Sequence, residues 1–144
     1  MNKSNAYYLD TNIIVYYLFD KSIDDNLDYR VLDLLGDPSN FFYASYVSVK
    51  ELIHLQKQER IKLSGLQKNK TILNLLDEAG IITIPVTEKH LVVYETLNFI
   101  QEHNDPNDLL IIAQSISDKI PVISSDGKFK LYESQGLQLV FNKR

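Results

Sequence analysis

Short apolar runs alternate with longer segments of helical spacing along the whole chain. The apolar runs are typical of buried β-strands and lie at residues 6–9, 41–45, 81–84, 120–124 and 137–141. The segments between them predict helices over residues 11–19, 22–35, the stretch after 45, 63–79, 87–100, 106–117 and a short helix after 127. The helix over 11–19 is apolar nearly all round, which predicts that it is buried.

Start and stop signals support several of these boundaries. Ser48 and Glu51 have the spacing of a capping box, which predicts a helix beginning near Ser48. Gly36 is typical of a helix end, and Pro106 is a residue favoured at the first position of a helix.

The alternation of strands with helices predicts the fold class. Parallel strands need long crossover connections, and helices supply them in α/β proteins. We therefore expect an α/β fold with a central parallel sheet of about five strands and helices on both faces. The chain has 144 residues without a repeat or a linker-like stretch, so we expect one domain over 1–144. The pattern does not give the order of the strands.

Composition narrows the kinds of chemistry. The chain has no cysteine, which excludes disulfides and thiolate metal sites and fits a reducing cytosol. Asp10 and Asn12 interrupt the first apolar stretch, so it does not read as a secretory signal. The run from Ile13 to Phe19 is far shorter than the roughly 20 residues of a membrane helix. We expect a soluble, cytoplasmic protein with no membrane contact.

The charge is acidic overall but locally basic. A net charge of −4 argues against nucleic-acid binding, when it is taken alone. The segment from 57 to 70 runs against this trend, because Glu59 is its only acid among the basic residues Lys57, Arg60, Lys62, Lys68 and Lys70. Such a segment can follow a phosphate backbone, although charge runs of this kind are more often a solvated helix surface.

Carboxylates fall at the ends of several predicted strands. Asp10 and Asp126 directly follow the first and fourth strands, and Glu51 lies on the helix after the second. Asp105 and Asp108 flank the start of the helix that leads into the fourth strand. Ligands of open α/β sheets bind at the carboxyl ends of the strands, so acids on neighbouring strands would lie close together there.

Each acid also has an ordinary structural explanation. Asp10 and Asp105 are suitable helix N-caps, Glu51 completes a capping box, and Asp126 precedes a glycine as turn residues do. Asp108 would be favoured by the helix dipole in a first turn. Several carboxylates together repel one another, and a hard cation such as Mg²⁺ or Mn²⁺ removes that repulsion. Such an ion can polarise a phosphoryl oxygen and activate water.

Other chemistries lack their motifs. The three histidines, His54, His90 and His103, show no HExxH spacing, and the chain has no GxGxxG or Walker A sequence. His54 reads as a packed or surface residue near Glu51. His103, in the loop before Asp105, is a candidate either for supporting the acids or for contacting the substrate. A haloacid-dehalogenase-like phosphatase would need aspartate at Asn12, and a receiver domain would need an aspartate after the third strand.

The chain resembles a known family, the PIN-domain ribonucleases, and most closely the VapC-like toxins of type II toxin–antitoxin pairs. The resemblance runs through almost the whole chain in order. It is carried by "YYLDTNIIVYYL", "VSVKELIHL", "HNDPNDLLIIAQSISDKIPVISSD" and "GLQLVFNKR". The long third stretch is the most specific, because it joins a DPxD motif to an S-x-D motif.

The resemblance implies roles for individual residues. The family's metal-binding catalytic acids match Asp10, Glu51, Asp108 and Asp126. Positions that orient these acids match Asn12, Ser124 and Asp105. Related sequences often carry an arginine where this chain has Leu109, so no phosphate contact is carried over to that position.

The resemblance also implies a function. We expect hydrolysis of RNA phosphodiester bonds with Mg²⁺ or Mn²⁺, a cognate antitoxin that blocks the site, and a homodimer. Lys57, Arg60, Lys62 and His103 are the candidate RNA contacts. Two alternatives stay open: a catalytically silent PIN-like module that binds RNA or protein, and a DNA-directed or structure-specific nuclease. The presence of all four acids favours an enzyme over a silent module.

Overall fold

The protein is built on one parallel five-stranded sheet. A computed structural model describes residues 5–20 and 26–143. The strands are β1 (Ala6–Leu9), β2 (Phe41–Ser45), β3 (Ile81–Ile84), β4 (Val122–Ser124) and β5 (Leu139–Phe141). They lie in the order β3-β2-β1-β4-β5, and every pair is parallel. The predicted parallel α/β sheet is thereby confirmed.

Helices connect the strands as the pattern predicts. They are α1 (Thr11–Ile14), α2 (Tyr29–Gly36), α3 (Tyr46–Lys57), α4 (Ile72–Glu78), α5 (Glu88–Thr96) and α6 (Pro106–Asp118). A π-helical turn over Val15–Phe19 continues α1, and two 3₁₀ helices cover Gly65–Gln67 and Gly127–Gln135. Among the described residues, no helix is both long enough and apolar enough to span a membrane.

Several predicted boundaries are wrong at helix starts. Helix α3 begins directly after β2, because Ser45 Oγ accepts a hydrogen bond from the Val47 backbone N–H at 3.0 Å. The predicted capping box is therefore absent: Ser48 and Glu51 lie inside the helix and are available for other contacts. Within the predicted helix 22–35, residues 22–25 lie outside the described residues, and α2 begins after its N-cap Asp28.

The predicted helix over 63–79 is wrong in its first half. Thr71 caps a helix that starts only at Ile72, since Thr71 Oγ1 accepts from the Asn74 backbone N–H. Leu66 fits the helical spacing but is 90% exposed, so the pattern there does not report burial. Helix α5 ends at Thr96 instead of near Ile100, and β4 and β5 each begin two residues later than predicted.

Alternate strand residues feed two apolar layers, one on each face of the sheet. Tyr8 packs in one layer and its neighbour Leu9 in the other, as Val122 and Ile123 also do. The Leu9 layer includes Ile13, Ile14, Val31, Phe42, Leu52, Leu76 and Ile123. The Tyr8 layer includes Leu109, Ile112, Val122, Phe129, Tyr132 and Leu137. Helices thus cover both faces, as predicted. Val15–Phe19 are only half-buried, against the prediction for the helix over 11–19.

The carboxylate of Asp118, on α6, connects β1 and α5 through hydrogen bonds with Tyr8 and His90. The Tyr8 hydroxyl donates to Asp118 Oδ2 at 2.6 Å, and His90 Nε2 lies 3.0 Å from both Asp118 carboxylate oxygens. His90 Nδ1 accepts from the Thr87 backbone N–H at 3.0 Å. Burial and the hydrogen bond to Asp118 raise the pKa of Tyr8 above its ordinary value.

The strand order determines where a site can form. The chain runs outward from β1 through β2 to β3, then returns so that β4 pairs with the other edge of β1. The carboxyl ends of β1 and β4 therefore lie side by side at the point where the connection reverses direction, the usual position of ligand sites in open α/β sheets. Asp10 and Asp126 both follow these strand ends.

Candidate active site

All four acids that the sequence singles out line one open cleft of about 350 Å³. Asp10 follows β1, Asp126 follows β4, Glu51 lies on α3 and Asp108 lies in the first turn of α6. We call this the acid cleft. The structure thus brings together side chains from four separate parts of the chain.

Asp10 is the most enclosed of these acids, with 4% of its surface exposed. Its Oδ1 accepts from the Thr11 backbone N–H at 2.8 Å, and its Oδ2 accepts from Ser124 Oγ at 2.7 Å. Burial raises the pKa of Asp10 from 3.8 to about 7, and the charges of Asp108 and Glu51 add to the rise, while the bond from Ser124 opposes it. A carboxylate in this position needs a positive partner to stay ionised.

Glu51 is held by two neighbouring side chains. The Thr11 hydroxyl donates to Glu51 Oε1 and lies 3.0 Å from Ser48 Oγ. Asn107 Nδ2 donates to Glu51 Oε2 at a long 3.4 Å. Burial raises the pKa of Glu51, and the negative charge of Asp108 raises it further.

Asp108 and Asp126 share a histidine. His103 Nε2 lies 2.9 Å from Asp108 Oδ2 and 3.6 Å from Asp126 Oδ2. One ligand atom of each of these three residues lies within 4.8 Å of the others, a spacing that suits one ion. Burial raises the pKa of Asp108, and the charges of Asp105 and Asp126 add to this, whereas the bond to His103 lowers it.

The residues predicted to orient the acids lie around the cleft. Ser124 is fully buried and joins two acids, since its Oγ donates to Asp10 and accepts from the Asp126 backbone N–H at 3.0 Å. Asp105 is exposed and caps α6 by accepting from the backbone N–H groups of Asn107 and Asp108. Asn12 lines the cleft, with its Oδ1 3.5 Å from the Ser125 backbone nitrogen.

The place of His103 favours one of the two roles considered for it, that of a residue that supports the acids. Only 5% of its surface is exposed, and its ring faces Asp108 and Asp126. A side chain so enclosed presents almost no surface to an RNA chain, so its burial argues against the predicted RNA contact. Its geometry is that of a partner to the acids.

The basic segment lies beside the acid cleft. A second cleft of about 520 Å³ shares Thr11, Glu51 and Leu55 with the acid cleft and is also lined by Lys50, His54, Gln58, Arg60 and Asn107. Arg60 also lines a third cleft of about 910 Å³, together with Lys62. Lys57, on the last turn of α3, lines none of the three. His54 is exposed, as predicted for a surface residue.

Sequence reasoning missed three residues that hold this region together. Thr11 and Asn107 contact Glu51. In the sequence, each is a polar residue next to a predicted acid, and this position was the only sign of their role. Asn142 is fully buried, and its Nδ2 donates to Ser125 Oγ and to the Asn26 carbonyl, both at 2.7 Å. No local pattern marks Asn142, because its partners come from distant parts of the chain.

The donor set of the acid cleft fits a divalent cation. Its carboxylate oxygens are the ligands that Mg²⁺ and Mn²⁺ prefer. Within residues 5–20 and 26–143, no lysine or arginine forms an ion pair with any of the four acids. Burial and, to a smaller extent, the charges of neighbouring acids raise the pKa of Asp10, Glu51 and Asp108, and a bound cation would favour their ionised forms.

Comparisons with known proteins agree on one fold. A sequence model of the PIN domain matches residues 7–134. The structure is similar to VapBC2 from Rickettsia felis, solved with a DNA fragment from its promoter (24% identity, TM-score 0.68, 95% of this chain and 98% of the other). It is also similar to VapBC-1 from nontypeable Haemophilus influenzae (22% identity, TM-score 0.68, 96% and 99% covered). A third similar structure is the toxin–antitoxin complex VapBC-5 from Mycobacterium tuberculosis (19% identity, TM-score 0.60, 95% and 98% covered). None of the curated proteins matches the sequence.

The raised pKa of Asp10 predicts how stability depends on pH without metal. Between pH 3.8 and about 7, Asp10 is protonated in the folded state but ionised in the unfolded state. The folded state then binds more protons, so the free energy of unfolding falls as pH rises through this window. In EDTA, we therefore expect the free energy of unfolding of Asp10→Asn to rise relative to that of wild type from pH 4 to pH 8, by on the order of 3 kcal/mol. Urea unfolding at both pH values measures the difference.

Asparagine is also a good N-cap, so the variant keeps the start of α1. Asp33→Asn, which changes an exposed acid on α2, is the control and should follow wild type at both pH values. A difference between Asp10→Asn and wild type that stays constant with pH would contradict the buried-charge account.

Proposed function

The chain belongs to the PIN domain family, and on that premise we propose that it is a metal-dependent endoribonuclease, the toxin of a type II toxin–antitoxin pair. The observation that carries this proposal is the convergence of Asp10, Glu51, Asp108 and Asp126 on one cleft, where no lysine or arginine among the described residues pairs with them. The similarity to toxin–antitoxin complexes supports the toxin role. We propose one nuclease domain over 1–144, acting in the cytoplasm.

In this proposal the chain supplies a fixed set of oxygen ligands. Asp10, Glu51, Asp108 and Asp126 would hold Mg²⁺ or Mn²⁺, which when bound supplies positive charge to the phosphoryl group and activates water. Thr11 and Ser124 fix the carboxylates of Glu51 and Asp10 before substrate arrives. Fixed ligands need no reorganisation as charge develops on the phosphoryl oxygens, and this preorganisation lowers the barrier.

The first test is cleavage of RNA by the purified protein. With Mg²⁺ or Mn²⁺ we expect wild type to cut RNA, and we expect EDTA or Asp10→Asn to reduce cutting to background, because each removes the cation or one of its ligands. Gel analysis of total bacterial RNA measures this, with Asp33→Asn as the folded control that should cut like wild type. Equal cutting by Asp10→Asn and wild type would overturn the role of Asp10.

The same assay separates the two alternatives. RNA and DNA oligonucleotides of one sequence distinguish a ribonuclease from a DNA-directed nuclease, since only RNA offers the 2′-hydroxyl. A folded protein that binds Mn²⁺ but cuts neither would favour the silent binding module.

The basic residues beside the acid cleft are proposed to bind the phosphates of the RNA that flank the cut. Arg60 lines two clefts and Lys62 lines one, so we expect Arg60→Ala and Lys62→Ala to weaken RNA binding more than Lys57→Ala. Each lost contact should reduce the slope of log affinity against log salt by about 0.7. Fluorescence anisotropy with a labelled RNA and Asp10→Asn as the background measures both quantities.

Lys89, exposed on α5, is the matched control for these three substitutions. If Arg60→Ala binds RNA with the affinity and salt slope of Lys89→Ala, the segment is a solvated surface and not a footprint.

A cognate antitoxin and a homodimer are the proposed protein partners. Expression of wild type in bacteria should arrest growth, Asp10→Asn should not, and co-expression of the antitoxin should restore growth. Light scattering of the purified chain measures the dimer. Normal growth with a wild-type protein that cuts RNA in vitro would contradict the toxin role, and a monomer across concentrations would exclude the homodimer.

A further inference from the structure

His103 occupies a tightly defined place between α5 and α6. Its ring packs against Phe129 and Tyr132, with centroids 5.3 and 5.7 Å away. Its backbone is held at both ends, because its N–H donates to the Ile100 carbonyl at 2.8 Å and its carbonyl accepts from the Tyr132 hydroxyl. The imidazole thus packs against two aromatic side chains of the 3₁₀ helix over Gly127–Gln135.

The hydrogen bonds of the ring place its proton. Nε2 faces Asp108 Oδ2 at 2.9 Å and Asp126 Oδ2 at 3.6 Å, and carboxylate oxygens accept. Nδ1 is buried and has no hydrogen-bond partner among the residues that the structure describes. A proton on Nδ1 would be an unpaired buried donor, which is costly, so the ring carries its proton on Nε2.

The same unpaired Nδ1 argues against a role for His103 as a metal ligand. Although His103, Asp108 and Asp126 have the spacing of a metal site, a ligating Nε2 would have to give up its proton to Nδ1. Metal-binding histidines almost always donate that second N–H to a carboxylate, carbonyl or water. Among the described residues, no carboxylate or carbonyl lies within hydrogen-bond reach of Nδ1.

We propose that His103 is a positioning residue, whose Nε2–H holds the Asp108 carboxylate in the orientation in which it binds a divalent cation. This inference rests on the proposed function, because it takes Asp108 to be a ligand of the cation. The longer approach to Asp126 gives the same N–H a second acceptor, so the histidine joins the Asp108 carboxylate in the first turn of α6 to the Asp126 carboxylate after β4.

The test measures Mn²⁺ affinity, independently of RNA. Partners of metal ligands typically contribute 10- to 100-fold in affinity, so we expect His103→Leu to weaken Mn²⁺ binding by about tenfold or more in titration calorimetry. His103→Gln should restore most of the loss, because its side-chain amide can donate from about the place of Nε2. Rescue by an amide would not follow from a packing role alone.

His90 provides the matched control. It is equally buried and also pairs with an aspartate, Asp118, but it lies outside the acid cleft. His90→Leu should lower the free energy of unfolding as His103→Leu does, yet leave Mn²⁺ affinity unchanged. Wild-type Mn²⁺ affinity in His103→Leu, or an equal loss in His90→Leu, would overturn the proposal.

Two spectroscopic measurements distinguish a His103 that donates a hydrogen bond to Asp108 from a His103 that binds the metal directly. In the metal-free protein, ¹⁵N NMR of the ring should show the Nε2–H tautomer, and the Nδ1–H tautomer would overturn the proposal. With Mn²⁺ bound, electron spin echo spectra should show no directly coordinated nitrogen, and a nitrogen signal that His103→Leu abolishes would make His103 a ligand. Failure of the proposed function has a different signature, namely Mn²⁺ binding by a wild type that cuts no RNA.

Discussion

The constraint on which this structure depends is the concentration of negative charge at the centre of a parallel sheet. Asp10 is almost wholly enclosed, and two further acids that raise its pKa share its cleft. Apolar layers on both faces of the sheet hold β1 and β4 side by side, and so keep the carboxylates together against their repulsion. Hydrophobic packing thus supplies the free energy that keeps a site for a cation formed.

Several of these acids serve the backbone as well as the cleft. Asp10 caps α1, and Asp126 caps the 3₁₀ helix over Gly127–Gln135. Asp105 caps α6 and thereby fixes the turn that carries Asp108. The two roles use different properties of the side chain: a cap needs an oxygen acceptor, whereas a cation needs charge. Asparagine preserves the first and removes the second, which makes it the informative substitution at these positions.

The fold class and the location of the acids could be predicted because both follow from local patterns. Apolar runs mark the strands, and Asp10 and Asp126 follow those runs directly. The strand order could not be predicted, since the pairing of β1 with β4 joins distant segments. The role of His103 depends likewise on Phe129 and Tyr132, whose approach follows from the tertiary fold. The cap of α3 is Ser45 and not the predicted Ser48, because β2 runs directly into the helix. The catalytic assignment of the four acids stays a prediction.

The connection from β3 back to β4 determines when during synthesis the acid cleft can form. During synthesis, β1, β2 and β3 emerge with Asp10 and Glu51, but Asp108 and Asp126 emerge only with the last third of the chain. The acid cleft is incomplete until β4 has paired with β1. A chain synthesised in this order lacks Asp108 and Asp126, two of the four acids of the cleft, until its last third has been made. The topology therefore makes the acid cleft one of the last features of the fold to be completed.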